Sequence, residues 1–549
     1  MLRGPLLAIG FLFFWSTIVS YPTLDRPLDL RHDWLTAHAS ISLEYMYQCG
    51  PAENLGASVL FLPSTEIDCE FPSRVPDPGK RVYLSYPSGW LWAYLPAYAL
   101  LRSVLPESVA PYHIVRILGL CLIRLPLLAA LILWTRHQLE FFPGLPERPA
   151  IVCSFVANAI FASSPAFLHY TQNIVFTDMI VLPIVYASGL LMYRFPRKAL
   201  WSRLLLLAFL LWISTATAWY GALWSTFLVG LLFFGHKEYG VSRKHAMVLA
   251  AGPVLAAIHY CLQLTLLPGG WSQLANTAAQ RTGGISDLLA FYGQSISYWS
   301  FNLPLPIAWG SLFLGILIAA YFLMVLSSAW NARSRSRQRL LLLYGPLLCS
   351  IAHLLILSEH SSRHDFSALK FGPMITYCIL AGIISGFRKF GRAPKAMLPV
   401  RVHHVAASTA LIAVLSTGAV RKSHRSTAGL PEPEIDHVSL AALHQRISEN
   451  EIPVTLASPR KDGYVPMEAT GWNPPQGLAL SGREIYTPER LRKYESAFAA
   501  SHRNAPVALL GFAPHRGYPC EWESTGLLFT EGIALVCRPG WTVRQFLSF

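Results

Sequence analysis

Residues 112–134, YHIVRILGLCLIRLPLLAALILW, form a mostly apolar run of 23 positions. A bilayer core asks for about 20 such residues in a helix. Comparable stretches lie at 4–20, 150–168, 175–193, 203–218, 221–235, 246–266, 305–328, 340–357, 371–387 and 402–420, so the sequence predicts eleven transmembrane helices. The stretch 203–235 also reads as one long span. Only 13% of the 549 residues are charged, against about 25% in an ordinary soluble domain. The chain therefore reads as an α-helical polytopic membrane protein.

Lys and Arg in short loops mark the cytoplasmic side. The connections on one face carry eighteen, from Arg136 to Arg401, while those on the other carry three, Arg281, Arg363 and Lys370. The net charge of +14 thus records topology and excludes a nucleic-acid reading. The amino terminus falls in the cytoplasm, and segments 21–111 and 421–549 fall outside. Span 4–20 has the Arg3 start of a signal peptide, although "TIVSYP" offers no small-x-small cleavage site. Cysteine placement agrees with this topology. Cys49, Cys69, Cys520 and Cys537 all fall in the two outside segments, where an oxidising compartment suggests pairs Cys49–Cys69 and Cys520–Cys537, with four free thiols as the alternative.

Two outside parts follow. In loop 21–111, "LSYPSGWLWAYLPAYALLRSV" reads as an interfacial helix, with Trp90, Trp92, Tyr94 and Tyr98 at headgroup depth. After residue 421 the composition shifts. "LAALHQRISENEIPVTLA" reads as helix then strand, "LRKYESAFAASHRNAPVALLGF" repeats that order, and "GLLFTEGIALVCR" reads as a strand pair. The division is a membrane domain, 1–420, and a small extracytoplasmic α/β domain, 421–549. Neither a GxGxxG motif nor a P-loop marks a nucleotide site in it.

Ionisable residues gather at the outer face. Asp33 and Glu44 follow the first span, and Asp178 opens the fourth. Arg281 lies in the loop 267–304, and Glu359, His360, Arg363, His364, Asp365 and Lys370 crowd "SEHSSRHDFSALK". Asp178 reads either as a functional acid at membrane depth or as the cap of its helix. Arg281, Arg363 and His364 suit phosphate oxygens; the alternative for each is a solvated loop charge. Glu44 falls on the solvated face of an amphipathic helix over 34–48. Arg124 is the one clear midspan charge. No cluster has metal-ligand spacing, so no cofactor is expected, with a divalent metal left open.

In order, these motifs resemble the polytopic GT-C glycosyltransferases that use polyprenyl-phosphate sugars, among them the lipid A aminoarabinose transferases and protein O-mannosyltransferases. "HDWLTAHASISLEYMYQCG" matches the family's acid-led outside helix with its closing Gly50, with Trp34 where the family carries Glu. "YPSGWLWAYLPAYALL", with Tyr86 before Pro87, resembles the interfacial helix, and Arg116 in "YHIVRILG" the Arg opening the second span. "SPAFLHYTQNIVFTDMIVLP" supplies the second acid, Asp178, and "QRTGG" the phosphate-contacting Arg281. "RHDFSALKFGPM" resembles the late outside connection; "TAWYG" stands where some members carry a lysine.

The resemblance implies sugar transfer from a polyprenyl-phosphate donor to an undetermined acceptor, at the outer face of a bacterial inner membrane. Asp33 would be the base and Asp178 its support. Arg281, Arg363 and His364 would hold the phosphate, with Glu44, Arg116 and Tyr86 supporting. The alternative is a transporter or flippase of a lipid-linked saccharide, which would place its polar groups nearer the midplane.

Overall fold

The computed structural model describes residues 3–21, 24, 33–59, 82–139, 147–193, 200–282, 334–357, 360–361 and 365–390, apart from single positions within them, and five strands between 454 and 538. Helices α1 (Arg3–Ser20) and α2 (Asp33–Cys49) come first. A two-stranded antiparallel ribbon, β1 (Ser58–Val59) with β2 (Val82–Tyr83), leads into α3 (Gly89–Val104). Next, α4 (Pro111–Leu118) runs through a π-helical stretch, Gly119–Arg124, into α5 (Leu125–Gln138). The helices α6 (Glu147–Ala162), α7 (Pro165–Asn173) and α8 (Thr177–Tyr193) follow. Then come α9 (Leu200–Thr215), α10 (Trp219–Phe234), α11 (Arg243–Leu266) and α12 (Gly270–Thr282). Helix α13 (Ser334–Ile356), a 3-10 turn (Asp365–Phe371) and α14 (Gly372–Phe390) are the last of the described helices.

Two of these helices, Pro111–Gln138 and Arg243–Leu266, are long and apolar enough to cross a membrane by themselves. Ala150–Ala162 and Phe167–Asn173, bent by 66°, make a third if they form one span. The bend has a local cause. Ser164 accepts a hydrogen bond from Phe167 N at 3.2 Å and Pro165 occupies the first helical position, so a new helix begins where the apolar run continues. Five shorter apolar helices lie over other expected spans, each below the length that marks a crossing helix by itself. The expected spans 305–328 and 402–420 lie outside the described residues, and so does any test of a count of eleven.

The ambiguous stretch 203–235 is two helices. Ala218 is extended (φ −155°, ψ 155°), and a β-carbon on Gly221 would lie 2.0 Å from the Ser214 carbonyl oxygen, so the chain folds back tightly there. Helices α9 and α11 pack as closely: a β-carbon on Gly252 would meet Ala208 O at 2.2 Å. Without a hydrophobic force between helices in lipid, such small-residue contacts hold a bundle together. Gly252→Ala should therefore prise α9 from α11 and cost about 1–3 kcal/mol, seen as a lower thermal midpoint in detergent. Gly230→Ala on α10, where none of the described residues lies within 4 Å of the added carbon, should leave the midpoint unchanged or raise it. Equal effects would refute close α9–α11 packing.

The core is aromatic and continuous across the bundle, with Trp90, Trp134, Trp224, Tyr98, Tyr186 and Tyr220 fully buried. Apolar side chains also face outwards, among them Leu205, Phe209, Leu255 and Ile258, each more than half exposed, as expected where lipid replaces water as solvent. Arg124 sits in the π-helical stretch with no exposure. Its Nε donates to Thr171 Oγ1 at 2.9 Å, Nη1 to Ser16 O and Ser20 Oγ, and Nη2 to Leu168 O and Gln172 Oε1. All five donors are used, and they tie α1 and α7 to the same turn. This midspan charge is a structural clasp.

Two expectations for the outside loop are corrected. Trp90, Tyr94 and Tyr98 of α3 face the protein core, and of the four aromatics only Trp92 is exposed. Glu44 is buried because α3 packs on its face of α2. Tyr98 OH donates to it, Gln48 Nε2 lies at 2.7 Å and Arg102 Nε at 3.4 Å. Cys49, which ends α2, is disulfide-bonded; its expected partner Cys69 lies outside the described residues. In the tail, strands Val454–Ala457 (β3), Ile485–Tyr486 (β4), Val507–Gly511 (β5), Glu521–Phe529 (β6) and Gly532–Arg538 (β7) form one sheet in the order β4-β3-β5-β7-β6. The β3–β4 and β3–β5 pairs are parallel, and β5–β7 and β6–β7 antiparallel. The expected helices of this region lie outside the described residues.

Candidate active site

Asp178 is the second residue of α8, placed in the first turn where the helix dipole favours an anion. It is buried, and its carboxylate reaches two groups from the connection between α13 and α14. Lys370 Nζ stands 3.0 Å from Oδ1, and His360 Nε2 3.1 Å from Oδ2. The 3-10 turn Asp365–Phe371 ends one residue after Lys370 and turns it inward, to 1% exposure. Lys370 also lies 3.4 Å from His353 Nδ1 and from Ser367 Oγ, and 5.8 Å from the centre of the Tyr220 ring.

A second set of side chains joins at His360. The Tyr86 hydroxyl, in the middle of the short segment between β2 and α3, is 2.7 Å from His360 Nε2. The Arg281 guanidinium, in the last turn of α12, lies 4.6 Å from the centroid of the Tyr86 ring. Its Nη2 donates to the Tyr83 hydroxyl at 2.8 Å. Its Nη1 is buried with no hydrogen-bond partner among the described residues. The site is thus a continuous path, Tyr83–Arg281–Tyr86–His360–Asp178–Lys370, drawn from four separate parts of the chain. The carboxylate meets the Lys370 ammonium directly, and the Arg281 guanidinium lies further along the path.

Burial governs the titration here. It pushes the Tyr86 phenol well above its usual range, and the negative charge of Asp178 adds to that. It lowers His360 to about 4, outweighing the opposing pull of Asp178. It also lowers Lys370, against which the Asp178 carboxylate works directly. Tyr86 is therefore a phenol and His360 a neutral imidazole at neutral pH.

The start of α2 is pinned against the same region. Thr36 Oγ1 donates to Asn173 O and accepts from Val175 N at 3.2 Å, fastening α2 to the α7–α8 connection three residues before Asp178. The His38 ring packs edge-on to Tyr83, with centroids 5.0 Å apart, and 5.4 Å from Phe176. Asp33 is the first residue of this helix; its side chain is outside the described set. Arg363 and His364 also lie outside it. Glu44 and Arg116 stand apart from the path. Glu44 links α2 to α3, while Arg116 is buried, donates through Nη1 to Leu24 O at 3.3 Å and lies over the Tyr112 ring.

The structure therefore unites Asp178, Arg281 and Tyr86 from the expected set and adds His360, Lys370 and His353, to which sequence reasoning gave no role. Among the described residues no group of three or more His, Cys, Asp or Glu is placed to hold a metal ion.

No family model matches the chain, and no curated protein matches its sequence. Solved structures do match its fold. ArnT from Cupriavidus metallidurans in the apo state aligns with a TM-score of 0.50 at 13% identity, over 96% of this chain and 98% of that one. The archaeal oligosaccharyltransferase AglB from Archaeoglobus fulgidus, in complex with an inhibitory peptide and a dolichol-phosphate, aligns over 93% of this chain and 69% of its own, with a TM-score of 0.48 and 11% identity. The chain has a GT-C-like fold, as the ordered motifs lead one to expect.

Proposed function

We propose that this chain is an integral-membrane glycosyltransferase that moves a sugar from a polyprenyl-phosphate donor to a lipid, glycan or protein acceptor. The reaction is placed at the outer face of a bacterial inner membrane, with the amino terminus cytoplasmic and an α/β domain, 421–549, outside. One observation carries the reading: a buried guanidinium, over the Tyr86 ring and hydrogen-bonded to Tyr83, whose Nη1 has no partner among the described residues. A fixed cation with a spare donor in a water-poor site suits a phosphate oxygen. The GT-C-like fold supports the same conclusion.

In this reading an acceptor oxygen attacks the anomeric carbon of the sugar. Its proton passes to the Asp33 carboxylate, which opens α2 beside the site. The bond from the anomeric carbon to the phosphate oxygen breaks, and its electron pair leaves on polyprenyl phosphate. Arg281 stabilises that developing charge, joined by Arg363 and His364 from the connection that carries His360 and Lys370 inward. Asp178 holds the supporting network in place. Mass spectrometry of envelope lipids and glycans from cells with and without the protein should then reveal one glycoform lost without it, and its polyprenyl-phosphate sugar accumulating. Identical profiles would count against transfer.

A further inference from the structure

His360 Nε2 has two oxygen neighbours, Asp178 Oδ2 at 3.1 Å and the Tyr86 hydroxyl at 2.7 Å. A ring nitrogen carries either a proton or a lone pair. If Nε2 is bare, Tyr86 donates to it, and its lone pair then faces a carboxylate oxygen with no proton between them. In a buried, poorly screened site that contact is repulsive. If Nε2 is protonated, its hydrogen is shared by two acceptors and both contacts are attractive. The same holds for a neutral or a doubly protonated ring, so the conclusion does not depend on the charge of His360.

The consequence falls on Tyr86. Its oxygen accepts from His360, so its own proton is not spent there. A phenolic O–H lies near the ring plane, and the orientation towards His360 is occupied by the Nε2 hydrogen. The proton therefore turns to the other side of the hydroxyl. Over the same ring lies Arg281, whose Nη1 also has no partner among the described residues. Among the described residues, two unspent donors, one cationic and one neutral, thus share one aromatic ring.

We infer that His360 is a positioning residue that turns the Tyr86 hydroxyl into a hydrogen-bond donor for the phosphate group held by Arg281. The inference rests on the proposed function and adds the neutral half of the anion site. Asp178 and Lys370 act through it: the ion pair fixes the carboxylate, the carboxylate orients the Nε2 proton, and that proton orients the phenol.

Binding of farnesyl phosphate to the purified full-length protein tests this, with inorganic phosphate as a second probe. Tyr86→Phe and His360→Leu should each weaken farnesyl phosphate by about tenfold, the worth of one hydrogen bond to a charged group. The double variant should be no weaker than either single one. His360→Gln, whose amide nitrogen reaches the place of Nε2, should keep most of the affinity. A merely structural role for His360 would not produce that pattern. Nitrogen NMR of histidine-labelled protein should show His360 protonated on Nε2, identified by the signal lost in His360→Gln. A bare Nε2, or additive losses in the double variant, overturns the inference while leaving the lipid-phosphate site standing. If the unmodified protein binds no farnesyl phosphate, the proposed function falls and the inference with it. Equal coupling with inorganic phosphate would assign the site to the phosphate alone, without its lipid.

Discussion

Lys370→Met is expected to lower thermal stability sharply, by about 3–5 kcal/mol, because it strands the Asp178 carboxylate in a buried site. Asp178 and Lys370 are 2% and 1% exposed and 3.0 Å apart. Their attraction offsets the cost of taking both from solvent only while both are present. Removing the lysine leaves His360, a neutral ring, as the side chain still at hydrogen-bond distance among the described residues. The double variant Lys370→Met/Asp178→Asn should recover most of the loss, since an Asn carbonyl still accepts from His360 and no unpaired charge is left. Thermal midpoints of the two variants in detergent measure this directly. A double variant as unstable as Lys370→Met would show that the lysine serves packing and not charge balance.

The double variant bears on the binding site as well. Its Asn carbonyl still accepts from His360 Nε2, so the Tyr86 hydroxyl keeps its orientation. Its affinity for farnesyl phosphate should therefore stay above that of Tyr86→Phe.

How much of this was legible beforehand differs by residue, and the reasons are physical. The helices were readable because lipid demands long apolar runs, and the bend at Ser164 was hidden only because a cap and a proline interrupt the backbone without interrupting the hydropathy. Asp178 was readable because an acid opening an apolar helix is expensive unless it is used. Lys370 and His360 were not. Six ionisable residues crowd residues 359–370, and nothing local says which turn inward. A 3-10 turn decides it for Lys370, and the partner lies 192 positions away, beyond any rule based on spacing. Glu44 was misread for the converse reason. Its helical face looks solvated in isolation, and only the packing of α3, with Tyr98 and Arg102, covers it. The aromatics of α3 were assigned to the headgroups on composition, whereas three of the four fill the core. Tertiary contact, not periodicity, made each of these differences.

The other large effect concerns Asp33. It opens α2, and one turn later Thr36 anchors that helix to the connection leading into Asp178. An acid at that point is placed by backbone that cannot drift far from the site. If it takes the proton of the acceptor, its amide cannot, and the rate should fall by roughly 10²–10⁴-fold. Donor binding should persist, because Arg281 and Tyr86 are untouched. Loss of turnover with retained affinity would separate a base from a binding group.

The central claim is transfer from a lipid-phosphate sugar with Asp33 as the base. It is tested most directly by incubating purified full-length protein with labelled polyprenyl-phosphate sugar and an extract of envelope acceptors, then measuring the polyprenyl phosphate released. Wild-type protein should release it with the label passing to an acceptor, and Asp33→Asn should bind the donor and release almost none. Equal release by the two proteins would contradict the account.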